Sequence, residues 1–492
     1  MMQPAPEGPM QYHRTHARPA ASSAPRRNLT ALISLALLMA ALAATPDIAA
    51  QSGTVESPPS QSSLGNLLDR YIRDALRANL SLAQDQLDED RATASVREAR
   101  ALRLPSVSFS SRRSKTDGGL DLGDLVNPAY RALNQLTGST AFPTNVGVTF
   151  PFAQETRVRV AQPIYQPAIG AGIRAATAAR DAQSAATRAA ARRLAAEVQT
   201  SYWALASAGR VAELFRATLP LVDENVRVNE RLLANGTVTP DAVLRARAER
   251  SEVAQQLAAA EHHVADARRA FNLLLDRPFD APVDMLPDSA LDAAARVADG
   301  LTMDDLVRHA LAARDELRQA ELAITAATAQ EKVATAAFLP TIAVAVDYGV
   351  QGDAYRFDRD HDALAASVLL EWSVFNGGRD EARRQQAAIG ASRARVARRE
   401  AERRVELDVR QAYDALQVAR SSITTARDRA LAARRSFDLV ARRHAEGMAS
   451  QIEFIDARTA YTRAELNLIL TRQSSAVRAA ELERAAALRV IE

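Results

Sequence analysis

The chain repeats itself, and that repeat constrains its fold more than any other feature. Ala75-Leu76 and Pro105 recur as Ala310-Leu311 and Pro340, an offset of 235 residues. Further on, Glu197-Val198-Gln199-Thr200-Ser201-Tyr202-Trp203-Ala204-Leu205 recurs as Asp408-Val409-Arg410-Gln411-Ala412-Tyr413-Asp414-Ala415-Leu416. Gly236 recurs as Gly447 and Ala246-Arg247 as Ala457-Arg458, all at an offset of 211. The difference of 24 (235 − 211) must be extra chain between the matched blocks of the first copy. Residues 115–154, rich in Gly, Asp, Asn, Pro and Thr, are expected to be that extra chain, as a longer irregular loop. Two copies of one unit, residues 64–300 and 301–492, are the expected domains.

Each copy reads as a helix, two strands and a long helical pair. Ala, Arg, Glu and Leu dominate about 66–103, 168–234, 238–275, 303–337, 378–446 and 449–488, which are expected to be helical. Residues 168–234 would extend roughly 100 Å as one helix, at about 1.5 Å per residue. No globular domain holds such a rod, so the long helices must pack lengthwise on one another. Pro220 is expected to kink or interrupt the first of them. Asn235-Gly236 and Glu446-Gly447 suit left-handed helix ends, while Thr239-Pro240-Asp241 and Ser450-Gln451-Ile452-Glu453 suit helix starts, the second as a capping box. Each pair is thus a hairpin with a tight tip.

Four strands interrupt the helices. Val107 and Phe109 alternate with Ser106, Ser108 and Ser110. Val158, Val160 and Ile164 alternate with Arg157, Arg159 and Ala161. Ile342, Val344, Val346 and Tyr348 alternate with Thr341, Ala343, Ala345 and Asp347, and Val368, Leu370, Trp372 and Val374 with Ser367, Leu369, Glu371 and Ser373. One apolar and one small or polar face is the pattern of a membrane barrel with a wet lumen; a half-buried soluble sheet has the same period, but no globular helix layer is expected to cover the apolar face. Arg157, Arg159 and Glu371 would then face the lumen and tune its charge, or be plainly solvated. A sheet facing lipid cannot keep open edges, because each unpaired backbone group in hydrocarbon costs several kcal/mol. Four strands are too few to close alone. Copies must share the barrel, and since eight strands leave a filled interior, three chains and twelve strands are the closure that leaves a channel.

The first fifty residues read as an export signal. Arg14, Arg18, Arg26 and Arg27 precede an apolar run over 29–44, and Ile48-Ala49-Ala50 offers a cleavage site before Gln51. Residues 51–63 read as a flexible lead-in. With no cysteine, the chain cannot use disulfides, thiolate metal sites or thiol nucleophiles. Basic and acidic residues nearly balance, at 62 and 59, and almost all the positive charge is arginine interleaved with Glu and Asp. That reads as solvated helix faces with i,i+4 pairs rather than as a nucleic-acid-binding patch. Adjacent His262 and His263 point about 100° apart on a helix and cannot readily share a metal. No HExxH or GxSxG element is present, so neither an enzyme nor a cofactor is expected.

Phe338-Leu339-Pro340 before a strand, Trp372-Ser373-Val374-Phe375-Asn376-Gly377-Gly378-Arg379 from strand into helix, and the duplicated hairpins resemble the TolC-like outer-membrane efflux proteins. The first-copy counterparts are Arg103-Leu104-Pro105 and Ala161-Gln162-Pro163-Ile164-Tyr165-Gln166-Pro167, and the likeness covers about 64–488. It implies a mainly α fold with a small β part, four strands and two long helical hairpins per chain. It further implies a homotrimer in the outer membrane of a Gram-negative bacterium, extending into the periplasm as a twelve-helix tunnel. A belt would girdle the tunnel near 280–302 and the C-terminal end. Partners would be outer-membrane lipid, a periplasmic adaptor and an inner-membrane pump driven by protons or ATP.

Within that resemblance, Asn376, Gly377 and Gly378 form the strand-to-helix turn. Gly236, Thr237, Val238 and Thr239, with Gly447, Met448, Ala449 and Ser450, correspond to tips that an adaptor contacts, or are helix caps only. Aligning Gly447 on the family's tip glycine makes Glu453 and Asp456 the carboxylates of a periplasmic gate. The first of these is more usually aspartate in the family. Both are alternatively carboxylates favoured by the helix dipole. Drug or small-molecule efflux is the role the resemblance favours, with type I protein secretion as the second reading. A structural periplasmic coiled coil is the reading from another class.

Overall fold

The computed structural model describes residues 62–115, 120–147, 149–150, 154–287, 289–352 and 362–490. The expected leader over 1–50, and almost all of the 51–63 lead-in, lie outside the described residues.

The first copy comprises α1 (Ser62–Ala78), α2 (Leu80–Ala101), β1 (Ser106–Arg113), β2 (Leu120–Asp121), α3 (Leu122–Thr137), β3 (Thr149–Phe150), β4 (Gln154–Tyr165), α4 (Pro167–Ala234) and α5 (Pro240–Leu274). After α6 (Ser289–Ala294), the second copy runs α7 (Met303–Ala313), α8 (Asp315–Thr335), β5 (Thr341–Gly352), β6 (Asp362–Glu371), α9 (Arg379–Ala445) and α10 (Gln451–Ala485). A short 3-10 turn, Ala336–Phe338, separates α8 from β5.

The repeat extends to the cores. Tyr71, Ile72, Leu82, Leu194, Val198, Leu205, Phe271 and Leu275 are buried together in the first copy. Leu306, Val307, Leu317, Val405, Val409, Leu416, Leu482 and Ala486 are buried together in the second. Residue for residue, the second set stands 235 or 211 positions after the first. Both cores lie near the middle of the long helices, where the shorter helices and the returning arms meet them. Burial of each large aliphatic side chain contributes about 1.5–3 kcal/mol.

Three expectations are corrected. First, the helices expected over 66–103 and 303–337 are each broken, at Asn79 and Arg314. The Asn79 side chain accepts from the backbone N–H of Ser81 and Leu82 at 3.0 and 3.1 Å, starting a new helix where the old one ends. Second, Pro220 does not interrupt α4, which is continuous for 68 residues. Proline leaves the carbonyl of Arg216 without its usual donor, but Thr218, Val222 and Asn225 are buried on either side and packing holds the rod. Third, the irregular loop expected over 115–154 contains α3, clipped by the β2–β3 pair. Asn127 exchanges two hydrogen bonds with the backbone of Val146, at 2.8 and 2.9 Å, and Asn134 does the same with Phe142, at 2.8 and 3.0 Å. The asparagines that suggested irregular chain are the fasteners of a folded insertion.

The four long strands form one antiparallel sheet in the order β1-β4-β5-β6. The helices follow the same order. Nearer the sheet, α2 packs on α4, α4 on α8 and α8 on α9; nearer the tips, α5 packs on α4, α4 on α10 and α10 on α9.

Candidate functional site

Register fixes which side chains share a face of the sheet. Ser108 stands opposite Arg159, Arg159 opposite Asp347 and Asp347 opposite Ala365. On that face Arg112 and Arg157 both reach Glu155, at 2.9 and 3.0 Å, and Arg159 reaches Asp347 at 3.2 Å. Arg157 and Arg159 therefore lie together as expected. Glu371 lies on the same face at the far end of β6, opposite Thr341. Three arginines and three carboxylates leave the face without net charge.

The other face is apolar and uncovered over most of its length, while at one end Gln154, Thr156 and Val350 are buried. Val107, Phe109, Val158, Val160, Tyr348, Leu364, Val368 and Leu370 are all exposed there. Such a contiguous patch is rare on a protein surface surrounded by water. The strands that bound it, β1 and β6, each pair on one side only among the described residues. At Gly349, opposite Arg157, an added Cβ would stand 2.1 Å from the Thr156 carbonyl oxygen, so only glycine lets β4 and β5 approach there.

Below β6 the chain turns sharply into α9. Gly377 and Gly378 have φ of 71° and 80°, in the left-handed region that side chains resist. The Asn376 side-chain oxygen accepts from the Asp380 backbone N–H at 3.4 Å, and its side-chain amide donates to the Asp380 carboxylate. Trp372 Nε1 donates to the Phe338 carbonyl at 3.1 Å, fastening the end of the strand to the turn that precedes β5.

At the opposite end, both hairpin tips have the expected caps. Gly236 and Gly447 adopt φ of 73° and 75°. The Ser450 backbone N–H donates to Glu453 at 2.7 Å, and the Glu453 N–H donates to the Ser450 hydroxyl at 3.2 Å. The Ser450 backbone N–H, and after it the Ser450 side chain, hold the Glu453 carboxyl below its usual range. Asp456 is exposed one turn further along α10. Thr237, Val238, Thr239, Met448 and Ala449 complete the two tips, with Met448 prominently exposed.

Beneath the tips lies a buried polar layer that hydrophobic patterning alone does not reveal. Asn229 donates to Gln451 at 2.8 Å, and the His444 ring contacts the Asn225 side chain at 3.1 Å and the Ala449 carbonyl at 3.0 Å. One level higher, Arg458 of α10 and Glu249 of α5 form an almost fully buried ion pair at 2.5 Å. Burial pushes the Glu249 carboxyl up, against the opposing pull of Arg458. The available signal was Asn225 and Asn229 falling on the same i,i+4 stripe as Val222.

Residues 280–302, the expected belt, pack against the middles of the long helices. Tyr202 donates to the Asp284 carbonyl at 3.1 Å and accepts from the Leu286 N–H at 2.8 Å, and its burial pushes the phenol up to about 12. Arg420 of α9 donates to the Ala295 and Val297 carbonyls at 2.7 and 2.9 Å. Among the described residues there is no cluster of His, Asp or Glu able to hold a metal. None of the described helices is long and apolar enough to cross a membrane.

With this geometry established, comparison with known proteins is specific. The sequence model of the outer membrane efflux protein family matches residues 71–276 and 306–488. No protein among the curated sequences matches. Among solved structures, CusC superposes with a TM-score of 0.70 at 19% identity, covering 86% of this chain and 92% of CusC. The CmeC outer membrane channel of Campylobacter jejuni gives 0.69 at 15% identity, covering 90% and 94%. The outer membrane protein VceC of Vibrio cholerae gives 0.67 at 19% identity, covering 87% and 98%. At these identities the likeness is one of fold: mainly helical, with a small four-stranded antiparallel sheet.

Proposed function

We propose, because this chain belongs to the outer membrane efflux protein family, that three copies close one barrel in the outer membrane of a Gram-negative bacterium and continue as a helical duct through the periplasm. The observation that carries this reading is the two-faced sheet. Its exposed apolar side suits lipid, its ion-paired side suits water, and its two unpaired edges are tolerable in hydrocarbon only if neighbouring copies pair them. Several structural relatives carry the description of outer membrane channel.

The duct passes cargo outward from an inner-membrane pump and a periplasmic adaptor and performs no catalysis. Gly236–Thr239 and Gly447–Ser450 are the segments offered to the adaptor. Three copies each of Glu453 and Asp456 ring the inner end and favour cations there. Arg157, Arg159 and Glu371 line the barrel, and their near-neutral balance with Glu155 and Asp347 makes the barrel permissive toward cargo of either charge. A permissive barrel suits drug or small-molecule efflux.

Planar-bilayer recording of the protein extracted from outer membranes tests the reading. Discrete conductance steps support it, while a protein that never conducts and fractionates as a soluble periplasmic species ends it. Export of small molecules is tested separately, by whether deleting the chain raises dye accumulation in cells.

A further inference from the structure

The helix of the first-copy insertion has two faces that the rest of the chain treats differently. Gly123, Asn127, Tyr130 and Asn134 of α3 fall within about 60° of one another at 3.6 residues per turn, and the returning chain over 139–147 lies on them. Asn127 and Asn134 bond its backbone, and Tyr130 stacks on Phe142 with ring centroids 5.6 Å apart. A Cβ added at Gly123 would stand 1.9 Å from the Val146 carbonyl oxygen, so the two segments touch from Gly123 to Asn134. Leu122, Leu125, Val126, Ala129, Leu133 and Leu136 fall within about 100° on a separate face. None of these six is buried, and Leu125 and Leu136 are 77% and 83% exposed. A face meant for water would carry charge at such positions, yet the charged residues of α3, Asp124 and Arg131, lie on the opposite side.

The strands that α3 joins give its height and its side. It is inserted between β1 and β4, at the end of the sheet away from the long helices, and residues 114–121 lead to it. The ten residues of β6 make about 33 Å of strand, which at a tilt near 40° rises about 25 Å, the height of the apolar band of a membrane barrel. Exposed Trp372 follows β6 at the helix end of the sheet, where an interfacial aromatic belongs. The other end of the sheet therefore stands at the outer boundary of the band, within reach of α3. There Gln154, Thr156 and Val350 share the apolar face and are buried, while Arg157 on the other face is exposed. The chain joining the strands thus folds over the apolar side.

We infer that α3 lies along the outer surface of the bilayer, with its leucine stripe among the acyl chains of the outer leaflet. The inference rests on the channel reading and adds a lipid contact outside the barrel wall. The stripe continues the apolar face of the sheet beyond the ends of the strands, on the side to which the joining chain turns. One apolar face, one polar face and few charges are what a helix lying in the interface needs. Its ends are also satisfied locally, since the Gly123 N–H donates to Asp121 at 2.8 Å and the Gly138 N–H returns to the Asn134 carbonyl. Three stripes meeting over the mouth of the channel would instead place α3 on the side of Arg157, which the joining chain leaves exposed.

The absence of cysteine makes the test clean. A nitroxide is attached to Leu125→Cys, Leu136→Cys, Arg131→Cys or Val368→Cys in the mature protein, reconstituted in vesicles of phosphatidylethanolamine and phosphatidylglycerol. Collisions with lipid-soluble oxygen are compared with collisions with a water-soluble nickel chelate. Their ratio is expected to be several-fold higher at Leu125 and Leu136 than at Arg131, and to approach that at Val368 on the sheet. Equal ratios at Leu125, Leu136 and Arg131, with the Val368 label still in lipid, overturn the seat of α3 and leave the channel reading intact. Labels at Leu125 and Leu136 that are shielded from both agents and broadened by one another put the three stripes together over the pore, and also overturn it. A Val368 label in water brings down both readings. Should labelling at Leu125 disturb the helix, Ala129→Cys reads the same stripe with the same outcomes.

Discussion

Asn79 and Arg314 occupy one position in the two copies, and their side chains make the same hydrogen bond. Asn79 Nδ2 donates to the Leu274 carbonyl at 2.9 Å, and Arg314 Nη1 donates to the Ala485 carbonyl at 3.1 Å. Leu274 and Ala485 end the returning helices α5 and α10, themselves counterparts. Both donors sit where a helix breaks, with ψ of 124° in each case. The bond has outlived the divergence of the residues that make it. Asn79→Ala and Arg314→Ala are each expected to cost about 1–3 kcal/mol, by removing a cap or stranding a buried carbonyl. Thermal dissociation of the purified assembly, compared with a substitution at exposed Arg73, checks this.

The Glu249–Arg458 pair ties α5 to α10 inside the protein. Arg458→Met leaves a buried carboxylate alone and is expected to destabilise by about 3–5 kcal/mol. Adding Glu249→Gln should recover most of that loss. A double variant as unstable as the single one, by chemical denaturation, would show that the pair acts through packing alone.

The Glu453 carboxyl is held below its ordinary value of 4.5 by the Ser450 bonds. A depressed carboxyl stabilises the fold above its unfolded value, and that contribution is lost as pH falls through the folded one. The start of α10 is therefore expected to fray only below about pH 4.5, read as faster amide exchange at Phe454 relative to mid-helix Leu468. Glu453→Gln should remove most of the pH dependence. Exchange equally steep in that variant assigns the effect to another group.

The two faces of the sheet should respond oppositely to charge. Phe109→Arg and Val368→Arg place arginine against lipid, at about 2–4 kcal/mol near the bilayer midplane, and should abolish assembly in the membrane. Ser108→Arg and Ser367→Arg place it in the lumen and should leave assembly intact while shifting ion selectivity toward anions. Assembly yield and reversal potential separate the two sets.

Much of this fold was legible because it is written twice. Matched blocks such as 197–205 and 408–416 gave the repeat, glycines at 236 and 447 gave the tips, and strict alternation from Thr341 to Tyr348 gave a strand with unlike faces. The break at Arg314 was not legible, since arginine favours helix and the groups that hold it there include the distant Ala485 carbonyl and Asp408. The insertion over α3 was missed for a related reason, because Asn127 and Asn134 stabilise it through distant backbone. The layer of Asn225, Asn229, His444 and Gln451 joins residues more than 200 positions apart, a distance over which local pattern carries no information.

The proposed ring of Glu453 and Asp456 is tested by ion flow. With Glu453→Ala and Asp456→Ala together, cation selectivity and block by divalent or trivalent cations in planar bilayers are expected to fall at least tenfold. Unchanged block assigns both carboxylates to helix capping alone.

The account depends most on strands shared between copies. Native mass spectrometry of the protein released from outer membranes in mild detergent measures that sharing directly. The expected species has three times the mature chain mass and no stable monomer. A monomer that stays dispersed after the detergent is removed would contradict the account.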